Sequence, residues 1–393
     1  MPPTPPASLS PAAFRAQFPA LADTVHLASC SQGAASLRLT AALAEFQWSM
    51  RSFGAPWDRW MAQVELARRM FAGLIGARPD EVAVVSCASE GAYQVASTLN
   101  WSRRPVVVSS DLEFPSIAHV WLAQGRRAAQ VRFVPAQGGL VQADEYAAAV
   151  DETVGLVSVP LVSYRGGMRL PVAPVVAAAR EAGARVFIDA YQAAGVLPVD
   201  VRALGCDYLV AGALKYLLGV PGIAFLYVRD GLTDDLPPAL TGWFGRVDPF
   251  AFDPRTLDFA PSARRFEVGT PAIPAAYCAA AGLATLAEVD VKAIDAHVRH
   301  LTSRCHERLA GSGEHIASPH DPQLRGPQVA IADEDPSALA AFLAGRSIVT
   351  SPRGDLLRLS FHYYNDEQDV SSVCDAIRDY RRTAAGSRSR PDA

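Results

Sequence analysis

Short runs of β-branched and aromatic residues alternate with Ala-rich stretches along much of this 393-residue chain, and that rhythm constrains its fold more than any other feature. Val82–Val85, Val106–Ser109, Val131–Val134, Val154–Val159, Val186–Asp189, Tyr208–Val210 and Ile223–Val228 read as strands. Helical stretches separate several of them: Gly91–Leu99, Ser116–Gln124, Ala143–Val150, Pro174–Ala182 and a segment starting at Ala193–Val196. Strand, helix and strand in succession predict an α/β fold with a mainly parallel, seven-stranded sheet covered on both faces. Half of the residues are hydrophobic, which is ample for its core. Ala275–Val289 reads as a long helix leaving this unit and Ile294–Leu309 as another. Strands near Gln328–Ile331 and Leu356–Ser360 and a closing helix, Glu367–Arg382, form a smaller α+β region. The expected division is a large domain over 21–285 and a small domain made of 1–20 and 286–393.

In such sheets ligands bind beyond the carboxyl ends of the strands, and the chemistry-bearing residues of this chain gather there. Asp189 closes the apolar run from Ala184, Gln192 follows three positions on, and Lys215 comes just after the sixth strand. Pyridoxal 5′-phosphate (PLP) needs such a pair: an amine with which its aldehyde condenses and a carboxylate that keeps its ring nitrogen protonated. Read alone, the pair is equally compatible with Asp189 capping a helix and Lys215 solvated on a loop. Ser86-Cys-Ala-Ser-Glu-Gly91 follows the first strand and opens a helix, which suits a phosphate cradle or an ordinary N-cap at Ser89. Phe114, in Glu113-Phe-Pro-Ser116, follows the second strand and can stack on a flat ring or fill the core.

Other features restrict the function. A net charge of −4 without a basic stripe argues against a nucleic-acid partner. The first 20 residues hold six prolines and no apolar signal core, and no apolar run is long enough to span a membrane. Six scattered cysteines without a C-x-x-C pair suit a reduced cytoplasm and argue against a zinc site. The Arg-rich stretch from Arg378 to Arg390 reads as a frayed tail.

Taken together, Asp189-Ala-Tyr-Gln192, Lys215, Arg265-Phe-Glu-Val-Gly-Thr-Pro271 and Leu357-Arg-Leu-Ser-Phe-His-Tyr-Tyr-Asn365 make the chain resemble fold-type I PLP enzymes of aminotransferase class V. The resemblance runs from about Thr24 to Asp379. Gly242-Trp-Phe-Gly245 and Glu113-Phe-Pro-Ser116 look more like the kynureninase and isopenicillin N epimerase branch than the cysteine desulfurases. The resemblance implies PLP on Lys215, which then serves as acid/base at the substrate Cα. It implies Asp189 at the ring nitrogen, Gln192 at the phenolic oxygen, Phe114 stacked on the ring, and Ala88 and Ser89 at the phosphate. Thr270 and Trp243 would reach the phosphate from a neighbouring subunit, which implies a homodimer with shared sites. Arg358 would grip the substrate carboxylate, since a planar guanidinium binds it through two parallel bonds. Ser29, in the loop Leu27–Gly33, would approach the substrate. Tyr164 could bond the phenolic oxygen and Arg165 a second anionic group, or both could be surface loop residues. His362 shares a strand face with Arg358 if the strand extends that far, which makes it a candidate within the site.

Departures from the family pattern shape the expected reaction. A Ser-x-His triplet often precedes the family lysine, whereas Gly212, Ala213 and Leu214 stand here. A phosphate contact must then come from elsewhere. Desulfurases keep a persulfide-forming cysteine shortly before the carboxylate arginine, and Ile348–Asp355 contains none. The expected reaction is therefore β-elimination from a cysteine S-conjugate without a protein thiol. Alternatives are transamination, epimerisation, kynureninase-like hydrolysis or decarboxylating oxidative deamination. A non-catalytic PLP- or amino-acid-binding role is disfavoured by the intact Lys215, Asp189 and Arg358. The lincosamide-pathway PLP enzymes acting on cysteine S-conjugates offer the most similar chemistry and suggest antibiotic biosynthesis.

Overall fold

The seven expected strands form one sheet in this computed structural model, which describes residues 9–232 and 237–388. In chain order they are β1 Val82–Val85, β2 Val106–Ser110, β3 Gln130–Val134, β4 Val154–Pro160, β5 Arg185–Asp189, β6 Tyr208–Gly212 and β7 Ala224–Val228. Their spatial order is β1-β7-β6-β5-β4-β2-β3. All neighbours are parallel except that β7 runs antiparallel to both β1 and β6. Strands covered by helices on both faces need mostly apolar residues, which is why β5, β6 and β7 are buried at all but one position and carry charge only at Arg185 and Asp189, the two ends of β5.

The expected helices are present as Ala88–Thr98, Pro115–Ala123, Ala143–Ala148, Val172–Glu181, Ile273–Leu286 and Val291–Gly311. The one expected from Ala193–Val196 is absent. That segment makes tight turns instead, with Gly195 at φ +94°, where a side chain would press on the Tyr216 carbonyl. Close passage beside the lysine loop has overridden local helix propensity. Two long helices that the apolar pattern did not reveal, Leu37–Phe53 and Trp57–Leu74, pack on the largely buried helix Ile273–Leu286.

A three-stranded antiparallel sheet lies in the C-terminal part: β8 Gln328–Ala332, β9 Ser351–Arg353 and β10 Leu356–Ser360, with β10 in the middle. The N-terminal segment packs against this part. Val25–His26 pairs in parallel with Ile348–Val349, and Arg15 binds Asp369 through both guanidinium nitrogens. The last helix, Glu367–Arg388, runs through most of the stretch read as a frayed tail. The rest of that stretch and the first eight residues lie outside the described residues. Among the described residues no helix is long and apolar enough to cross a membrane.

Candidate active site

A cavity of about 240 Å³ opens beyond the carboxyl ends of β1, β2, β4 and β5. Cys87, Ala88, Ser89, Phe114, Tyr164, Asp189, Tyr191, Gln192 and Lys215 are among the residues that wall it. Parallel pairing sets the depth of several of them. Asp189 ends β5 directly opposite Pro160 of β4, and the β6 register carries the chain on to Lys215.

The Lys215 amine makes no hydrogen bond or ion pair with any described residue. It lies 4.7 Å from the centre of the Tyr191 ring and 5.5 Å from that of Phe114. Burial lowers it to about 8, against the opposing pull of the Asp189 charge. The amine is therefore far closer to its nucleophilic, neutral form than a solvated lysine. Asp189 Oδ1 accepts the Tyr191 N–H at 2.8 Å, and Oδ2 has no partner among the described residues. Burial pushes its carboxyl upward, while the Tyr191 N–H and the Lys215 charge act the other way. Glu113 lies beside it, accepting the Ser158 hydroxyl at 2.8 Å and the Phe114 N–H at 3.0 Å. Burial and the Asp189 charge push Glu113 up to about 8.

Ala88 and Ser89 begin a helix whose first-turn N–H groups have no intrahelical acceptors, so amides and hydroxyl meet at the cavity wall. Tyr191 reaches the same wall, and its ring occupies the space above Gly212. A side chain at 212 would overlap the Tyr191 hydroxyl and ring, so glycine is required there for room rather than for its backbone angles. Gln192 donates to the Cys30 carbonyl at 3.1 Å, and its Oε1 is buried without a partner.

Arg358 is buried. Its guanidinium donates to Ser351 O at 3.2 Å, Tyr164 O at 2.8 Å, Ser31 Oγ at 3.0 Å and Ser351 Oγ at 2.6 Å. All of these acceptors are neutral. A buried cation held by neutral groups alone, without a counter-ion, is prepared for an incoming anion.

Other expected residues lie elsewhere. Ser29 is buried with its hydroxyl on Tyr364, 2.6 Å away, and Ser31 is the member of that loop that reaches Arg358. Arg165 is exposed and paired with Asp355. His362 does not face the cavity. Its Nε2 donates to the Tyr216 carbonyl at 3.0 Å and its Nδ1 accepts the Tyr363 N–H at 2.8 Å, which fixes the neutral ring. Burial holds it down at about 4. The strand ends at Ser360, so the alternation that would have aimed His362 at the site does not continue to it. Thr270 is exposed on a separate cavity beside Ser86 and Glu90, and Trp243 packs on Trp57, Phe250 and Phe252. Neither lines the Lys215 cavity of the single chain. Tyr191, Ser31 and Glu113 are the site residues to which the sequence assigned no role. Tyr191 carried one signal, its place inside Asp189-Ala-Tyr-Gln192 beside a missing side chain at 212.

The model of the aminotransferase class V family matches residues 47–373. The chain belongs to that family. It is 37% identical over 367 residues to the uncharacterized aminotransferase YcbU of Bacillus subtilis, covering 93% of this chain and 97% of the relative. It is 32% identical to a kynureninase of Deinococcus radiodurans, over 88% and 87% of the two chains. Among solved structures, the cystine C–S lyase C-DES with its product cysteine persulfide superposes with a TM-score of 0.85 at 22% identity, over 92% of this chain and 99% of that one. That likeness shows the shared fold, fold-type I. The class V family is PLP-dependent, and PLP is the cofactor of this chain. The residues fit it: a buried amine without partners, a carboxylate with one open oxygen, an unpaired Gln192 oxygen and a helix start, all on one cavity.

Proposed function

We propose that this class V enzyme is a lyase that expels the thiol from a cysteine S-conjugate by β-elimination, and that it works as a homodimer. Bound PLP supplies an electron sink that makes the bonds at the substrate α-carbon labile. The cofactor would be held by Lys215, by Asp189 at the ring nitrogen, and by Gln192 and Tyr164 at the phenolic edge. Phe114 would lie at the ring face, and Ala88, Ser89 and the Tyr191 hydroxyl at the phosphate. Arg358 orients the substrate by its carboxylate, and Lys215 Nζ takes up the proton leaving Cα. Thr270 and Trp243 would complete the phosphate end from the second subunit.

The observation that carries the amino-acid reading is the buried Arg358 with only neutral partners, across from a lysine amine lowered to about 8. The elimination reading rests on the cysteines. None lies on the hairpin that holds Arg358, and Cys305 and Cys374 are buried on helices of the C-terminal part. Cys87 does line the cavity, but at the helix start assigned to the phosphate. A good thiolate leaving group needs no protein nucleophile. The kinship with kynureninase supports a second reading, hydrolytic cleavage at Cβ that releases alanine.

One assay separates them. Purified protein is mixed with S-substituted cysteines and with kynurenine, and thiol, pyruvate, ammonia and alanine are measured by mass spectrometry. Thiol and pyruvate support the lyase, and alanine from kynurenine supports the hydrolase. A variant with all six cysteines replaced by serine or alanine should keep appreciable lyase activity. If one cysteine substitution abolished turnover with PLP binding and folding intact, the elimination reading would be wrong.

A further inference from the structure

The hairpin that carries Arg358 also carries a second arginine. In the β9–β10 register Ser351 stands opposite Arg358 and Arg353 opposite Leu356. Side chains two apart on a strand share a face, so Arg353 lies on the same face as Ser351 and Arg358, two pairs nearer the hairpin turn. That face meets the wall of the cavity at Tyr164. Arg358 reaches from it to the carbonyl of Tyr164, and Ser360 reaches from it to Cys30. The turn itself is fixed beside the Tyr164 loop by the pair between Asp355 and Arg165. Arg353 is exposed and makes no ion pair or hydrogen bond with any described residue. Its nearest acid along the hairpin, Asp355, is occupied by Arg165. The positive charge of Arg353 is nonetheless felt at the Lys215 amine, as is that of Arg358.

Two guanidiniums thus share one face of the hairpin, a buried one bonded to the cavity-wall residue Tyr164 and an exposed one nearer the turn. The buried one suits the α-carboxylate of an amino acid. We propose that Arg353 binds a second anionic group, at the far end of the substrate side chain, so that the enzyme prefers amino acids whose side chains end in an oxoacid anion such as a carboxylate or sulfonate. Arg165, which the sequence offered for this task, is committed to Asp355. This inference rests on the reading of Arg358 as the α-carboxylate anchor and leaves open which bond at Cβ is broken.

The test uses two ligands of equal shape, S-carboxymethylcysteine and its uncharged amide, S-carbamoylmethylcysteine. Each is titrated into the PLP-loaded enzyme and binding is read from the visible cofactor band. The acid should bind roughly 5- to 10-fold more tightly than the amide. That is less than a fully buried charge-assisted bond would give, because water at the rim screens the pair. Arg353→Gln should remove the preference and leave amide binding unchanged. Arg353→Lys should keep part of the preference, and Arg358→Gln should weaken both ligands alike. Equal binding of acid and amide by the wild type, or an Arg353→Gln loss shared by both, overturns the inference. Preferred binding of the acid without any thiol release would uphold Arg353 while refuting the lyase reading.

Discussion

Lys215 concentrates most of the chemistry in one amine, and its environment sets a pH dependence. Burial favours the neutral form, which is the form that attacks an aldehyde, and the amine is lowered to about 8. Uptake of PLP by the cofactor-free protein should therefore rise with pH through a midpoint near 8, followed by the growth of the visible band. A midpoint near 10, as for a solvated lysine, would contradict the burial argument. Borohydride should fix the cofactor on Lys215, and a peptide map placing it on another lysine would sink the assignment. Tyr191 and Gly212 interlock at the same scale. Tyr191→Phe should weaken PLP roughly 10- to 100-fold, the value of one charge-assisted hydrogen bond, yet leave binding of phosphate-free pyridoxal unchanged. Gly212→Ser should weaken both, since it displaces the Tyr191 ring from the wall. His362 has a different part, in stability. Its value of about 4 lies below the ordinary 6.5, so the unfolded chain takes up a proton between those values and the folded chain does not. Stability should fall by on the order of 3 kcal/mol as pH drops from 6.5 to 4, and His362→Gln should lack that part of the fall in denaturant titrations.

At the scale of elements, the inner strands were legible because burial on both faces forces mostly apolar residues, while the half-exposed edge strand β3 was legible from Val131, Phe133 and Val134. All seven strands of the large sheet fall within two residues of their expected bounds. The places of Asp189, at the end of β5, and Lys215, three residues past the end of β6, on one cavity were legible for a related reason, since both follow from where such strands stop. What pattern could not supply was the spatial order. Nothing in residues 82–85 and 224–228 announces that β1 pairs with β7. Nor did periodicity reveal Leu37–Phe53, a helix that leaves Leu37, Trp48, Met50 and Phe53 exposed and so presents no clean polar face. Ser31 displaced Ser29, and Arg165 was lost to Asp355, for one reason. Which side of a loop faces a ligand depends on partners distant in sequence, here Tyr364, Arg358 and Asp355.

For the whole molecule, one exposed surface stands out. Trp48 and Phe53 both lie under Arg59, Trp57 abuts Trp243, and Trp243 continues to Phe250 and Phe252. Aromatic surface of this extent calls for a cover, and a second copy would bring Thr270 and Trp243 toward the other site. Light scattering should give a dimer. Mixing Lys215→Ala with Thr270→Arg protomers should restore some activity, because one site of the mixed dimer is intact at both positions. Mixing Lys215→Ala with Arg358→Ala should restore none, because those residues serve the same site. A stably active monomer would refute the shared arrangement.

The antiparallel β7 has a consequence in time as well as in space. It separates β1, whose exit leads to the Ala88 and Ser89 wall of the cavity, from β6, whose exit carries Lys215. These two walls, distant in sequence, face each other only once β7 has entered between them. Long-range pairings of this kind are slow steps, since loop closure must precede any gain from contact. PLP added to a refolding chain should therefore be captured late, after most far-ultraviolet signal has returned, and should not speed the early phases. Cofactor capture would then act as a clock for the last event of folding.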